Sequence, residues 1–394
     1  MQLYVIKFIT LMLGAILLYG CSCFNKKENL TSMSLLPKVE NHFEPKIIWS
    51  YSSGLGHGNI YPIVQFAWQD NRIFITDHKG TIKAIDVNSG KELWSTNLFV
   101  KKGFFSQNDL TNLSGGLAAT ASRLYVASEL AKVYSLDAKN GTIIWETDII
   151  GEGLSRPVIS NNIVVIHTNN GILQGLNEKN GLVKWTVSLD VPLLKLRGAS
   201  TPAIAYGAAI IGSDNGSISA VMINKGHLIW QRNISPINSS VETSHINTVK
   251  TTPIIINGVI YTLTHDNNFS AIDLYSGQII WSREIGPLTN FLIENNRIYV
   301  MDKNDYITAL NVENGKTLWC QKALLNRKLT PPTMYRDYII TGDAEGYLYW
   351  LHNKDGQFIS KKKLNSTGLI STSIVAGNKL IIQARNGNIY AINA

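Results

Sequence analysis

The chain has 394 residues, a formal charge of +8, 45% hydrophobic residues and only 16% charged ones. That composition allows a large buried core and excludes intrinsic disorder. Lys and Arg are scattered, with Lys361-Lys362-Lys363 as the one run, so the charge reads as a solvated basic surface; no nucleic-acid partner is expected, given the compartment that the N-terminus implies.

Residues 1–20 read as an export signal. Lys7 is their only charged side chain, and an apolar run of eleven residues, 8–18, is broken only by Thr10 and Gly14. Spanning a bilayer takes about 20 apolar residues, so the run suits the core of a signal peptide. It ends in Leu18-Tyr19-Gly20-Cys21. A small residue before a cysteine at this point resembles a bacterial lipobox, which implies that Cys21 is lipidated and becomes the mature N-terminus. Ser22 resembles the sorting residue of outer-membrane lipoproteins. Three acyl chains would exceed the two signals that stable anchoring takes.

Residues 21–45 are polar and irregular, with Pro37 and Pro45. They read as the lipidated N-terminus and a flexible tether, with a span of about 25–30 Å. Cys21 and Cys23 fall in this region and Cys320 stands alone in the folded part. No disulfide framework is expected, and Cys320 reads as a packed thiol.

From residue 46 to 394 one phrase recurs. It reads AIDVNSGKELW (84–94), SLDAKNGTIIW (135–145), GLNEKNGLVKW (175–185), AVMINKGHLIW (220–230), AIDLYSGQIIW (271–281) and ALNVENGKTLW (309–319), with a degenerate WLHNKDGQFIS at 350–360. Successive Trp residues from Trp94 to Trp319 are 51, 40, 45, 51 and 38 positions apart, a period that marks a propeller. Each phrase is a strand, a glycine-bearing tight turn and a second strand ending in Trp. Another hairpin lies upstream, as in IGSDNGSISAVM and TGDAEGYLYWLH. Before that comes a small-residue strand: STPAIA (200–205), TTPIII (251–256), TPPTMY (330–335) and STSIVA (371–376). Such strands suit the crowded centre of a ring.

These units predict an all-β fold, an eight-bladed β-propeller of four-stranded antiparallel blades. The last unit, 371–394, has three strands, and the first Trp-ending strand, KIIW at 46–49, has no partners before it. The N-terminal strand is therefore expected to complete the last blade, which removes an exposed edge. Seven of the nine Trp residues (Trp49, Trp94, Trp145, Trp185, Trp230, Trp281 and Trp319) hold the repeat position. A single cofactor would touch one or two of them, so all seven are assigned to packing between blades.

The repeat resembles that of quinoprotein dehydrogenases, which makes an enzyme the rival reading. Those proteins carry a vicinal cysteine pair and a carboxylate calcium site, and the folded part of this chain has no such cysteine pair. No HExxH, GxSxG or Walker-type loop occurs. Arg156 is the notable charge near the axis, and reads as a structural hydrogen-bonding group. No catalytic residue, metal or cofactor is assigned.

The lipobox, the Trp-bounded repeats and the stretch 194–217 (LKLRGASTPAIAYGAAIIGSDNGS) together resemble the BamB family of outer-membrane lipoproteins, over essentially the whole chain. AIDLYSGQIIW, DAEGYLYWL and LIIQARNG resemble the same family. The resemblance implies a scaffold of the β-barrel assembly machinery, anchored in the outer membrane and facing the periplasm, that assists insertion of outer-membrane proteins. It implies docking on the POTRA repeats of BamA, contact with other subunits of the complex, and a place near nascent outer-membrane proteins. The family's Leu-x-Leu-Arg docking motif is matched by Leu194, Leu196 and Arg197. Its acidic pair before the Thr-Thr-Pro strand is replaced by Thr248 and Lys250. The residues themselves point to the same surface: Leu189–Gly198 and Ser235–Lys250 are adjacent long loops, the first with Leu193, Leu194 and Leu196 beside Lys195 and Arg197. Another periplasmic binding propeller, for polysaccharide or peptide, is the alternative, with a quinoprotein dehydrogenase behind it.

Overall fold

A computed structural model describes residues 32–53, 66–77, 80–98, 111–192, 197–234, 248–249, 251–265, 268–286 and 288–393. Its strands form eight four-stranded antiparallel sheets. Seven follow the chain, with blade one at 67–97, blade two at 117–148, blade three at 158–188, blade four at 203–233, blade five at 254–284, blade six at 288–321 and blade seven at 333–363. Blade eight takes three strands from 374–393 and its outer strand from Lys46–Ser52. Trp49 pairs with Ala391 and Ser52 with Asn388 across that junction. The expected closure by the N-terminal strand is thus observed.

The repeated Trp clasps each blade to the next. Its indole N–H donates to a backbone carbonyl beside the following blade's last turn: Trp49 to Val87 (2.8 Å), Trp94 to Ala138 (3.2 Å), Trp185 to Ile223 (2.7 Å) and Trp230 to Leu274 (3.0 Å). Trp145, Trp281 and Trp319 do the same to Glu178, Val312 and Asn353. The ring of each indole lies on the glycine of that turn. A Cβ on Gly90 would stand 2.6 Å from Trp49, and one on Gly141 would stand 2.4 Å from Trp94. These glycines also have φ of +70° and +73°, where other residues are strained. Within its own sheet each Trp faces a small partner, as Ala84 faces Trp94 and Gly175 faces Trp185. Two residues beyond the Trp a side chain often adds a second latch, as Thr96 does to the Gly141 carbonyl at 2.8 Å.

Blade seven inverts the pattern. Trp350 occupies the third strand and Ser360 the outer one, and the two are paired. The cause is the neighbour. Blade eight joins its third and outer strands across the two ends of the chain, so no glycine turn exists there to seat an indole from position 360. The indole moves inward, where Trp350 is fully buried.

The space beside Ser360 is taken by residues expected to be tether. Phe43 packs against Tyr338 and edge-on against Trp350, with centroids 5.4 and 6.1 Å apart. Ser360 Oγ donates to the Phe43 carbonyl at 2.9 Å, His42 N–H to the Ile359 carbonyl at 2.9 Å and Lys361 N–H to Asn41 Oδ1 at 2.9 Å. Leu36 joins the apolar cluster around Tyr349. The flexible tether therefore does not extend to residue 45, because 32–45 lies along the open flank of blade seven. Residues 1–31, with Cys21 and Cys23, lie outside the described residues. Cys320, expected as a packed thiol, is disulfide-bonded. It is half-buried on an outer strand.

The four inner strands named from the sequence are shorter than expected, at three residues each: Ala203–Ala205, Ile254–Ile256, Thr333–Tyr335 and Ile374–Ala376. The Ser/Thr/Pro residues before them approach the strand without joining it, since proline brings no N–H to a ladder. Their hydroxyls instead serve the second strand. Ser200 Oγ accepts from Gly212 N–H at 3.3 Å, Thr330 Oγ1 from Gly342 N–H at 2.9 Å and Ser371 Oγ from Gln383 N–H at 2.9 Å. Arg156 departs from expectation. Its backbone N–H donates to Thr201 Oγ1 at 3.3 Å, but its guanidinium makes no hydrogen bond or ion pair to a described residue.

The docked segment supplies a test of closure. Phe43→Ala should cost about 2 kcal/mol, less than the ~3–5 kcal/mol of a fully buried Phe, because Phe43 is half-buried. Leu35 is 92% exposed, and Leu35→Ala should stay within about ±0.5 kcal/mol. Urea unfolding of the two variants measures this, and equal stabilities would show that residues 32–45 are not seated on blade seven.

Candidate docking face

Antiparallel order places the turn between the second and third strands at the same end as the link from the outer strand to the next blade. That end gathers Arg197 from the link between blades three and four, Glu152 from the link between blades two and three, and Glu129 from the hairpin of blade two. Arg197 Nη2 lies 2.9 Å from Glu129 Oε2, and Nε lies 3.5 Å from Glu152 Oε2. The hydrogen bond to Glu129 leads in raising the guanidinium pKa. Both carboxylates are braced in turn. Glu129 accepts from Ser114 Oγ, and Glu152 accepts from Asn169 Nδ2 at 3.1 Å.

The trio carries one positive and two negative charges, and Arg197 keeps 52% of its side chain exposed. With Nη2 and Nε engaged, the guanidinium still has donors for a planar acceptor on another molecule. The two carboxylates hold it upright at little energetic gain, since exposed pairs contribute about 0–1 kcal/mol. This orients a contact group.

The other expected contacts divide. Leu194 and Leu196 lie outside the described residues, as do Lys250 and most of the 235–250 loop. Thr248 is buried, its carbonyl accepts from His265 N–H at 2.9 Å, and its hydroxyl has no partner. Position 248 therefore cannot present a side chain to a docked protein, because Thr248 and Val249 close the rim of the blade. Glu129 and Glu152 were missed by the sequence reading. They stand 68 and 45 positions before Arg197, and only the ring brings the three together.

A second polar group occupies the same face at blades six and seven. Arg327 is buried, with Nε 2.8 Å from Asp343 Oδ2, Nη1 2.8 Å from the Ser34 carbonyl, and an ion pair to Glu345. Asp343 also accepts from Tyr349 Oη at 2.7 Å. Burial alone would lower the guanidinium pKa, but the hydrogen bonds to Asp343 and Glu345 outweigh it and the net shift is upward. This group fastens the N-terminal segment, and its charges are consumed within the fold.

A family profile described as "Outer membrane protein assembly factor BamB" matches residues 78–321. A protein of that description from Yersinia pestis is 49% identical over 385 residues, covering 97% of this chain and 98% of its own. Among solved structures, BamB from Moraxella catarrhalis superposes with a TM-score of 0.75 at 21% identity, over 89% of this chain and 100% of that one. A quinohemoprotein alcohol dehydrogenase from Comamonas testosteroni shares the fold at a TM-score of 0.67 and 12% identity, over 88% of this chain and 76% of its own.

The two arginines should differ in what truncation costs. Arg327→Ala strands the buried Asp343 carboxylate, and should cost about 3–5 kcal/mol. Arg197→Ala should cost less than about 1 kcal/mol. Chemical denaturation of both variants measures the difference. A large loss at Arg197 would make it a structural residue.

Proposed function

The chain belongs to the family of the outer membrane protein assembly factor BamB, and from that premise we propose that it docks through the Arg197 face on the POTRA repeats of a BamA-type subunit. It is an accessory factor of outer-membrane protein assembly and is associated with the outer membrane. Its anchor is the lipidated Cys21, following the signal 1–20, and the propeller faces the periplasm. It acts as a scaffold with no reaction of its own, beside the other subunits of the assembly machinery and within reach of nascent outer-membrane proteins.

The observation that carries this reading is the braced arginine. Arg197 is exposed, oriented by Glu129 and Glu152, and stands directly after the leucines of the docking motif. An arginine held ready loses little entropy on binding, and such anchors often dominate an interface. The two arginine-centred groups described on this face are ion-paired within the fold, as suits a contact surface. Arg197 is engaged with Glu129 and Glu152, and Arg327 with Asp343 and Glu345.

Binding of the full chain to an isolated POTRA region is the test. Arg197→Ala should weaken it by about 2 kcal/mol or more, with melting unchanged, and Leu194→Ala with Leu196→Ala should weaken it likewise. Unchanged affinity in all three would remove this face as the docking site.

A further inference from the structure

Inner strands of blades one to four and eight line an open central cavity of about 620 Å³, within the range of small-ligand sites. Its walls come from Phe66, Leu117, Val158, Ile204, Ile374 and Val375 among others, and Arg156 is the one charged side chain among the described residues that line it. Arg156 precedes the inner strand Val158–Ser160. It therefore sits toward the Arg197 face, while Trp68 and Thr120 line the cavity toward the opposite face.

A guanidinium keeps its charge at any physiological pH, and burying one is costly unless it is paired. Four other arginines of this chain obey that rule, while Arg385 has a buried Nε without a partner. Arg72 donates to the Ala138 carbonyl, Arg123 to Glu178, Arg297 to Asn353, and Arg327 pairs with Asp343. Arg156 is only part-exposed, burial pushes its pKa down, and no described residue offers its guanidinium an acceptor. Thr252, exposed along the cavity, adds a hydroxyl.

We propose that the central cavity binds an apolar monocarboxylate, whose carboxylate pairs with Arg156 while its apolar part lies along the wall toward Trp68. A single cation at one end of a cavity whose other lining side chains are uncharged favours a molecule charged at one end only. A dicarboxylate or a phosphate would have to desolvate further charge against Val158 and Ile204. A free aliphatic acid and the C-terminus of an apolar peptide share this chemistry. The site is separate from the Arg197 face and does not depend on docking there.

Calorimetric titration of the full chain with octanoate, and with an N-acetylated apolar tripeptide bearing a free C-terminus, tests it. Trp68 fluorescence gives a second readout. At least one acid should bind, and its amide counterpart should bind at least about tenfold more weakly, as expected for loss of a charged hydrogen bond. The tighter of the two acids identifies the source. Arg156→Gln should weaken the acid by a similar factor, and Arg156→Lys by less. No binding of either acid at millimolar concentration, or equal binding of acid and amide, would overturn the proposal. So would unchanged affinity in a folded Arg156→Gln chain. If that variant fails to fold, the comparison of acid with amide on the unsubstituted chain decides.

Discussion

One buried indole between neighbouring blades carries the architecture. A single four-stranded sheet has two faces to cover and cannot cover them alone, so each blade depends on the next. The Trp at the end of each outer strand meets three needs at once. It covers apolar area, donates its N–H to a carbonyl that would otherwise lie buried, and fits a turn that must be glycine. That fit removes tolerance. Because a Cβ on the turn glycine would fall within 3 Å of the ring at Gly90, Gly141 and Gly226, the glycine and the Trp of adjacent blades form one unit.

Closing the ring places a different demand on blade seven. A chain with two ends must leave one turn unmade, and the turn left unmade is the seat that an indole on the outer strand of blade seven would need. The exchange of Trp350 with Ser360 keeps the volume in the sheet and moves it one strand inward. The stretch before the first strand then covers the vacated flank, held by Phe43 and by Arg327 at Ser34. Closure and the path of the N-terminal segment are thus one structural event. The segment leaves the ring beside blades six and seven, on the same face as Arg197.

Much of this was legible because the repeat phrase states its own chemistry. Alternation, the Asn-x-Gly or Ser-Gly turn and the terminal Trp encode local geometry, and counting them gave the eight blades and the composite closure. The inner strands were overestimated because hydroxyls in STPAIA and STSIVA read as strand residues, whereas they cap the strand beside them. Residues 32–45 read as tether because a polar stretch with two prolines has no periodicity. Phe43 finds its partners at Tyr338 and Trp350, about 300 positions away, and no local pattern reports such a contact. Arg197 was found through its motif, but Glu129 and Glu152 were not, since two glutamates in separate hairpins carry no signal until the ring brings them to the same arginine.

The clasp is tested most directly by comparing two glycines that share a backbone conformation and differ in what they face. Gly141 has φ of +73° and Gly207 has φ of +78°, so alanine brings similar strain to each, about 1–2 kcal/mol. A Cβ at Gly207 meets nothing within 4 Å, whereas one at Gly141 meets Trp94 at 2.4 Å. In chemical denaturation, Gly141→Ala should be less stable than Gly207→Ala by about 2 kcal/mol or more, since the indole must leave its seat. Equal losses at the two positions would contradict the account, because they would leave only backbone strain and no role for the indole on the turn.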